Sequence, residues 1–451
     1  MNTDTSSAGP ILNVGILSGD EIRVYLDTPY EVEGCGQAVA GDTSFRITPE
    51  GKVAFIGREF SAVELSPAVP YGAWFEVKDV TIGVNFHWER KENQRFSGSF
   101  GVIVEGLRPG EGPLRLTLVN RLPVEDYLKS VISSEMSATS SPELLKAHAV
   151  ISRSWLFAQL EAAGEPKCRD GWTETDAERI VWYDREDHRN FDVCADDHCQ
   201  RYQGITRQTR PEVEAAIDAT GGTVLADDAG KTCDARFSKC CGGVFEEFES
   251  CWQPVAHPYL RALRDSRAEH DFPDLRDEQN AREWIAGAPD AFCNTDDARV
   301  LREVLNSYDQ ETPDFYRWTV EYSRAELADL LRRRSGVDFG DILELRALER
   351  GTSGRIIRLL VRGSRKEMVL GKELEIRRSL SESHLYSSAF FAEPLGSDSD
   401  GVPSRWRLRG AGWGHGVGLC QIGAAMMAHQ GFAWREILAH YFPGAQIIKK
   451  Y

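Results

Sequence analysis

The alternation of apolar and polar positions changes period along the chain, and the changes mark its elements. From Ile11 to about Pro113, the segments NVGILSG, EIRVYLD, KVAFIG, WFEVKDVTIGVNFHW and SFGVIVEGL alternate or run apolar between Gly, Asp and Pro. That pattern predicts short β-strands joined by turns. Leu114–Val119 continues as a strand. The period then lengthens: Val124, Tyr127, Leu128, Val131 and Ile132 recur three and four residues apart, as on a helix with one buried face. One further turn of that stripe lands on Glu135. The stripe breaks in Ser137–Ser141, and Pro142 suits the first position of a second helix through Glu143–Leu156, which carries His148 and Arg153.

Downstream, Pro211–Thr220 predicts a short helix and GTVLAD a strand. AREWIAG, DDARVLREVLNS and RAELADLLRRRSG place apolar residues at helical spacing opposite charges, with FYRWTVEYS alternating between them as a strand. ILELRALER, RIIRLLVRG and KEMVLGKELEIRR read as strands, and helices are expected near Cys420–Gln430 and Trp434–Tyr441. The fold class that follows is α+β: mixed strands with a central helical hairpin. An N-terminal β-rich region spans 1–113, and a domain over 114–451 contains a hydrophilic loop (about 164–204) and a helical insertion (about 265–335).

Charge narrows the function classes. A formal net charge of −17 argues against a nucleic-acid partner, because phosphate backbones select basic surfaces. It leaves neutral or weakly acidic carbohydrate polymers open. No run of eighteen apolar residues predicts a transmembrane segment. The opening MNTDTSSAGPILNVGILSGDE has neither the basic start nor the apolar core of a signal peptide. A cytoplasmic protein, a misassigned start and a removed export segment are the alternatives.

Four places carry candidate chemistry. A carboxylate on the apolar stripe, Glu135, must be paired or desolvated with a raised pKa, and a carboxyl kept protonated is what a general acid requires. The competing reading is a structural ion pair with Arg153 across the hairpin. In HRNFDVCADDHCQRYQG, His188, Cys194, His198 and Cys199 fall within twelve residues, and thiolates with imidazoles so close suit tetrahedral zinc. The alternative is a polar loop with two incidental thiols. In ARFSKCCGGVFEEFESCW, Gly242 and Gly243 permit φ > 0 and close backbone approach to a ligand. Cys240, Cys241 and Cys251, with Cys233 nearby, leave a local disulfide, a second metal site or buried thiols open. In RLRGAGWGHGVGLCQ, glycines alternate around His415 and would expose backbone N–H groups to a polymer, with Trp413 as a stacking face for a sugar. A tight turn with close strand packing is the other reading. No strand–GxGxxG–helix unit supports a nucleotide site.

Together, EDYLKSVISSEM with PELLKAHAVISRSW, then FSKCCGG, then GWGHGVGLCQIGAAMMAHQGFAWREILAHYFPGAQI resemble the stage II sporulation protein D family (SpoIID/LytB-like), over about Leu114–Tyr451. The resemblance implies a peptidoglycan lytic transglycosylase. Such an enzyme cuts glycan strands freed of stem peptides between N-acetylmuramic acid and N-acetylglucosamine, leaving anhydro-muramyl ends during cell-wall remodelling. It places the catalytic acid on Glu135, a basic partner on Arg153 and a further basic group on Lys239. Substrate contacts then fall on His148, Gly242, Gly243, Trp413, His415 and Gln421, and a structural zinc on His188, Cys194, His198 and Cys199. The family also contains enhancers of cell-wall amidases, so a non-catalytic glycan-binding module serving an amidase is the alternative. A zinc hydrolase using His188 and His198 is disfavoured, since two thiolates in so tight a cluster mark a closed site. A peptidoglycan substrate implies an extracytoplasmic location. His148 stands where the family usually has Gln, Cys420 where it has Ser, and Cys240 and Cys241 where small or polar residues are common.

Overall fold

The structure is a computed structural model that describes residues 9–82, 90–106, 113–137, 140–183, 188–196, 199–207, 211–267, 271–304, 314–399 and 401–451. It divides into two compact units. The first comprises 1–139, 185–223 and 449–451; the second comprises 140–184 and 224–448. Helices and mixed sheets occur in both, as an α+β chain requires.

The first unit is built on one large sheet. Its strands are β1 (Ile11–Gly19), β2 (Glu21–Val32), β3 (Gln37–Ile47), β4 (Val53–Phe55), β5 (Arg58–Phe60), β6 (Ala62–Pro67), β7 (Trp74–Ile82), β8 (Arg90–Ser97), β9 (Ser99–Gly106) and β10 (Leu114–Pro123). The pairing runs β1-β10-β9-β6-β2-β3-β4-β5, with β7 joining β2 to β8 and the short strand Val193–Cys194 extending the β1 edge. Alternation selects the buried face: Ile22, Val24 and Leu26 on β2, and Phe75 and Val77 on β7, are buried while their neighbours are not. The core is aromatic, with Phe75 and Phe100 at 4.4 Å between ring centroids and Phe96 5.6 Å from Phe75. β9 and β10 pair antiparallel, so this sheet runs through the 113/114 boundary expected from the sequence.

The helix Val124–Glu135 follows β10 directly, with Val124, Tyr127, Leu128, Val131 and Ile132 buried as their spacing predicts. Its expected hairpin partner is also present, as Pro142–Glu161, but belongs to the second unit. Ser141 occupies the N-cap of that helix without a side-chain capping bond.

In the second unit a five-stranded sheet has the order Thr173–Glu174, Glu178–Ile180, Glu367–Gly371, Ile356–Gly363 and Ile342–Arg350. The hydrophilic loop after 164 therefore contributes two strands rather than only a surface excursion. A three-stranded antiparallel sheet, Arg317–Ser323, Pro403–Ala411 and Phe390–Ser397, shares its core through Trp318, Ile342, Leu359, Leu370, Phe390, Trp406 and Leu408. The helix Arg324–Ser335 closes onto this core through Leu327 and Leu331, begins with a Ser323/Glu326 capping box and stops at Gly336.

One strand assignment is corrected. KEMVLGKELEIRR is a strand only through Gly371, and Glu373–Ser379 is helical. Leu374-Glu375-Ile376 alternates too briefly to fix a period. The core instead takes Ile376 and Leu380, four residues apart on one helical face.

Candidate functional site

Glu135 is the last residue of the Val124–Glu135 helix and is half-buried. The segment after Cys199 packs along this helix. Tyr202 stacks on Tyr127 at 5.1 Å, its hydroxyl donates to Asn120 Oδ1 at 2.7 Å, and Gln203 N donates to Ser130 Oγ at 3.1 Å. Tyr127 is fully buried, and its hydroxyl donates to Gln200 Oε1 at 3.4 Å. Burial, then the nearby Cys199, Cys194 and Tyr202, and finally Glu135, hold the Tyr127 phenol un-ionised.

The first cysteine cluster lies in this same unit. Val193–Cys194 pairs parallel with Val14–Gly15, and Phe191 packs so closely on Gly15 that an added Cβ would meet its ring at 2.7 Å. Phe191 stacks on His188 at 4.4 Å. His188 Nε2 lies 3.4 Å from Cys199 Sγ, and the donor atoms of His188, Cys194 and Cys199 all fall within 4.8 Å of one another. Three donors at that separation fit three corners of a zinc tetrahedron. His198, the fourth expected ligand, lies outside the described residues.

Arg153, Lys239, His148, the glycine turns and Gln421 all belong to the second unit. Arg153 is fully buried, and its Nη1 donates to Ala149 O at 3.4 Å. Lys239 is half-buried, with its amine donating to Val304 O at 3.3 Å. His148 and Gln421, expected to contact substrate, are 0% and 2% exposed and bonded to each other. The Gln421 amide donates to His148 Nε2 at 3.2 Å, so Nδ1 carries the ring proton toward Ser152 Oγ, also at 3.2 Å. Burial, reinforced by the Lys239 charge, pushes the imidazole down to about 3. Their role in this conformation is to tie the Pro142–Glu161 helix to the Gln421–His429 helix.

The glycine block is packed rather than displayed. Cys240 and Trp413 exchange backbone hydrogen bonds, Phe237–Ser238 pairs parallel with Leu419–Cys420, and Gly414 N donates to Tyr386 O at 2.7 Å. Gly416 has φ +76°, and an added Cβ would fall 2.3 Å from Arg355 Cζ; at Gly418 it would fall 2.1 Å from the Arg236 carbonyl oxygen. Gly242 and Gly243 also have positive φ, and Gly242 abuts Ala411–Gly412. The expectation that these glycines present N–H groups to a polymer therefore gives way to the close-packing alternative. Trp413 stacks on Phe315 at 4.7 Å and 19°, so protein already covers a face expected to take a sugar. His415 Nδ1 accepts from Val417 N at 3.0 Å. Burial, then the Arg236 and Arg355 charges, hold its imidazole neutral.

Two groups escaped the sequence reading. Glu246 is fully buried and accepts from Ser353 Oγ at 2.6 Å, Ser353 N at 3.1 Å, Glu247 N at 2.9 Å and Ser250 Oγ at 3.1 Å, which satisfies a carboxylate that burial alone makes harder to ionise. Cys293 lies 3.5 Å, sulfur to sulfur, from Cys241. Neither has a local signature. Glu246 is one acid in an acidic run, and Cys293 is an isolated cysteine far from the others.

Comparison with known proteins bears on the segment around Glu135. The stage II sporulation protein family model matches residues 114–226. A domain of unknown function (DUF8618) matches residues 246–418, which includes the helical insertion and all three strands of the three-stranded sheet. The chain is 23% identical over 330 residues to stage II sporulation protein D of Bacillus subtilis (strain 168), covering 73% of this chain and 75% of that protein. It is 25% identical over 332 residues to the amidase enhancer of the same organism, covering 71% of this chain and 40% of that protein. The resemblance drawn from the three sequence blocks holds.

Two predictions follow from this geometry. His148 is neutral when folded and regains an ordinary imidazole pKa when unfolded, so between about pH 6.5 and about pH 3 the unfolded chain binds the extra proton. Folding stability must fall as pH drops through that window, with this residue contributing a slope approaching about 1.4 kcal/mol per pH unit. Urea unfolding from pH 7 to pH 4 should show a slope smaller by nearly one proton in His148→Gln; equal slopes would refute the assignment. At the first cluster, the paired Cys194→Ala and Cys199→Ala changes should remove one equivalent of zinc and lower Tm by roughly 5–10 °C. Unchanged zinc content and Tm would show that those thiols are incidental.

Proposed function

We propose that this chain is a lytic transglycosylase that cuts peptide-free glycan strands of peptidoglycan and leaves anhydro-muramyl ends. The observation that carries the reading is Glu135: a half-buried acid at the end of an apolar helix, inside the segment matched by the sporulation domain. In its protonated form Glu135 donates to the oxygen linking N-acetylmuramic acid to N-acetylglucosamine. As the glycosidic bond breaks and the anomeric carbon gains oxocarbenium character, the muramyl residue's own primary hydroxyl attacks that carbon. The ionised Glu135 then takes the hydroxyl proton. No water enters the products and the acid is regenerated, so a single carboxylate serves where glycoside hydrolysis uses two.

The basic roles fall to Arg153 and Lys239, in orienting the acid or binding the lactyl carboxylate. His188, Cys194 and Cys199, with His198, would hold zinc with every coordination position taken by protein. That ion supplies rigidity to the chain beside the Glu135 helix and no Lewis acidity to the substrate. Among the described residues no helix is long and apolar enough to cross a membrane. The substrate class places the site of action outside the cytoplasmic membrane.

A second reading is supported by the similarity to an amidase enhancer: the chain holds glycan for a cell-wall amidase without cutting it. Mass spectrometry of peptide-free glycan strands separates the two. Anhydro-muramyl ends should accumulate with the unmodified protein, and Glu135→Gln should lower their rate by about 100-fold or more. Glycan binding without anhydro ends from either protein would replace the lytic reading with the enhancer reading.

A further inference from the structure

A second group of side chains able to hold a metal ion lies at the buried centre of the second unit, with Cys241 and Cys420 in the two glycine-rich blocks and Asp265 and Cys293 outside any sequence motif. Cys241, Asp265, Cys293 and Cys420 come from four separate segments, yet one donor atom of each lies within 4.8 Å of all the others. Relative exposures are 2%, 0%, 1% and 0%, so the group is sealed from solvent. Backbone pairing brings them together. The parallel pairing of Ser238 with Cys420 sets the Cys240–Cys241 turn beside the start of the Gln421–His429 helix, where Cys241 N donates to Cys420 Sγ at 3.2 Å. A bridge between Val244 and Arg264 carries Asp265 to the same point, and Phe292 N donates to Asp265 O at 2.8 Å, which seats Cys293.

The immediate surroundings are those of a metal–thiolate centre. Cys241 N and Gly423 N donate to Cys420 Sγ, the latter at 3.4 Å, and Gly423 belongs to the first turn of a helix whose N-cap is Cys420. Gly243 N donates to Cys241 Sγ at 3.4 Å. Such N–H donors offset thiolate charge where water cannot reach. On Asp265 the two oxygens are divided. Oδ1 accepts from the Tyr441 hydroxyl at 2.8 Å and lies 3.3 Å from His440 Nε2, whereas Oδ2 faces the sulfurs, 3.4 Å from Cys241 Sγ and 3.2 Å from Cys293 N. A carboxylate anchored through one oxygen with the other turned into a thiol cluster is a fixed ligand. The 3.5 Å between Cys241 and Cys293 sulfurs is far longer than a disulfide bond and close to the edge of a tetrahedron around zinc.

We propose that Cys241, Asp265, Cys293 and Cys420 bind one thiophilic divalent cation, zinc by ligand type, as a closed structural site distinct from the His188/Cys194/Cys199 cluster. Binding displaces the three thiol protons to solvent and forms three metal–sulfur bonds and one metal–oxygen bond, with no change of oxidation state. The ion staples the glycine turn, the insertion that carries Cys293 and the C-terminal helices to one point. Sequence spacing conceals the set, because its cysteines are 52 and 127 residues apart.

Native mass spectrometry of the full chain, expressed with zinc, tests this. The unmodified chain should hold two zinc ions, and the Cys194→Ala/Cys199→Ala form should keep one. That remaining ion should be lost from a form that also carries Cys293→Ser. Should the triple variant fold poorly, cobalt(II) loaded into the Cys194→Ala/Cys199→Ala form gives an independent reading: tetrahedral cobalt with thiolate charge-transfer absorption is expected. Absence of metal from the Cys194→Ala/Cys199→Ala form would overturn the proposal. So would a Cys241–Cys293 disulfide in peptide maps of the unmodified chain, or zinc content unchanged by Cys293→Ser.

Discussion

Around Gly416 and Gly418 the chain passes its neighbours with no space for a Cβ, 2.3 Å from the Arg355 guanidinium carbon and 2.1 Å from the Arg236 carbonyl oxygen by the position such an atom would take. That steric limit fixes the register between Phe237–Ser238 and Leu419–Cys420. The register in turn sets Cys420 beside Cys241, aims Gln421 at His148, and lets Glu246 N donate to the Gly416 carbonyl at 2.8 Å. Arg355 completes the arrangement by donating to the carbonyls of Gly414 and Cys241. Gln421 and His148 thus satisfy each other and the Arg355 guanidinium is satisfied by backbone carbonyls, which is the condition for burying them at all.

The first unit rests on a different constraint. Its sheet sends β10 straight into the Glu135 helix, and the Val193–Cys194 strand returns to the β1 edge so that Tyr202 and Gln203 can hold that helix. The acid proposed to carry out the chemistry is therefore mounted on a helix braced along its length, while its last turn stays half-open. A rigid mount with a partly desolvated carboxyl is what proton donation to a glycosidic oxygen requires.

Most elements were legible because their periodicity is long. The Val124 stripe, the Pro211–Thr220 and Trp434–Tyr441 helices and the Arg317–Ser323 strand occupy the segments their patterns predict. ELEIRR misled because three alternating residues cannot distinguish two periods. The glycine block was ambiguous for a deeper reason: alternation of Gly with larger residues encodes close approach equally well to a ligand or to the chain itself, and only tertiary structure shows which. Asp265 and Cys293 were illegible because their partners are distant in sequence. The family resemblance placed substrate contacts on His148 and Gln421, which in the structure are bonded to each other.

Native-state hydrogen exchange at the glycine block tests most directly the claim that this segment is an internal brace rather than a glycan-contact surface. The amides of Trp413, Gly414 and Leu419, which donate to Cys240, Tyr386 and Arg236, should exchange only through global unfolding and should be unaffected by added glycan strands. Exchange at the rate of an open loop, slowed when glycan is added, would contradict the account and return the block to the binding surface.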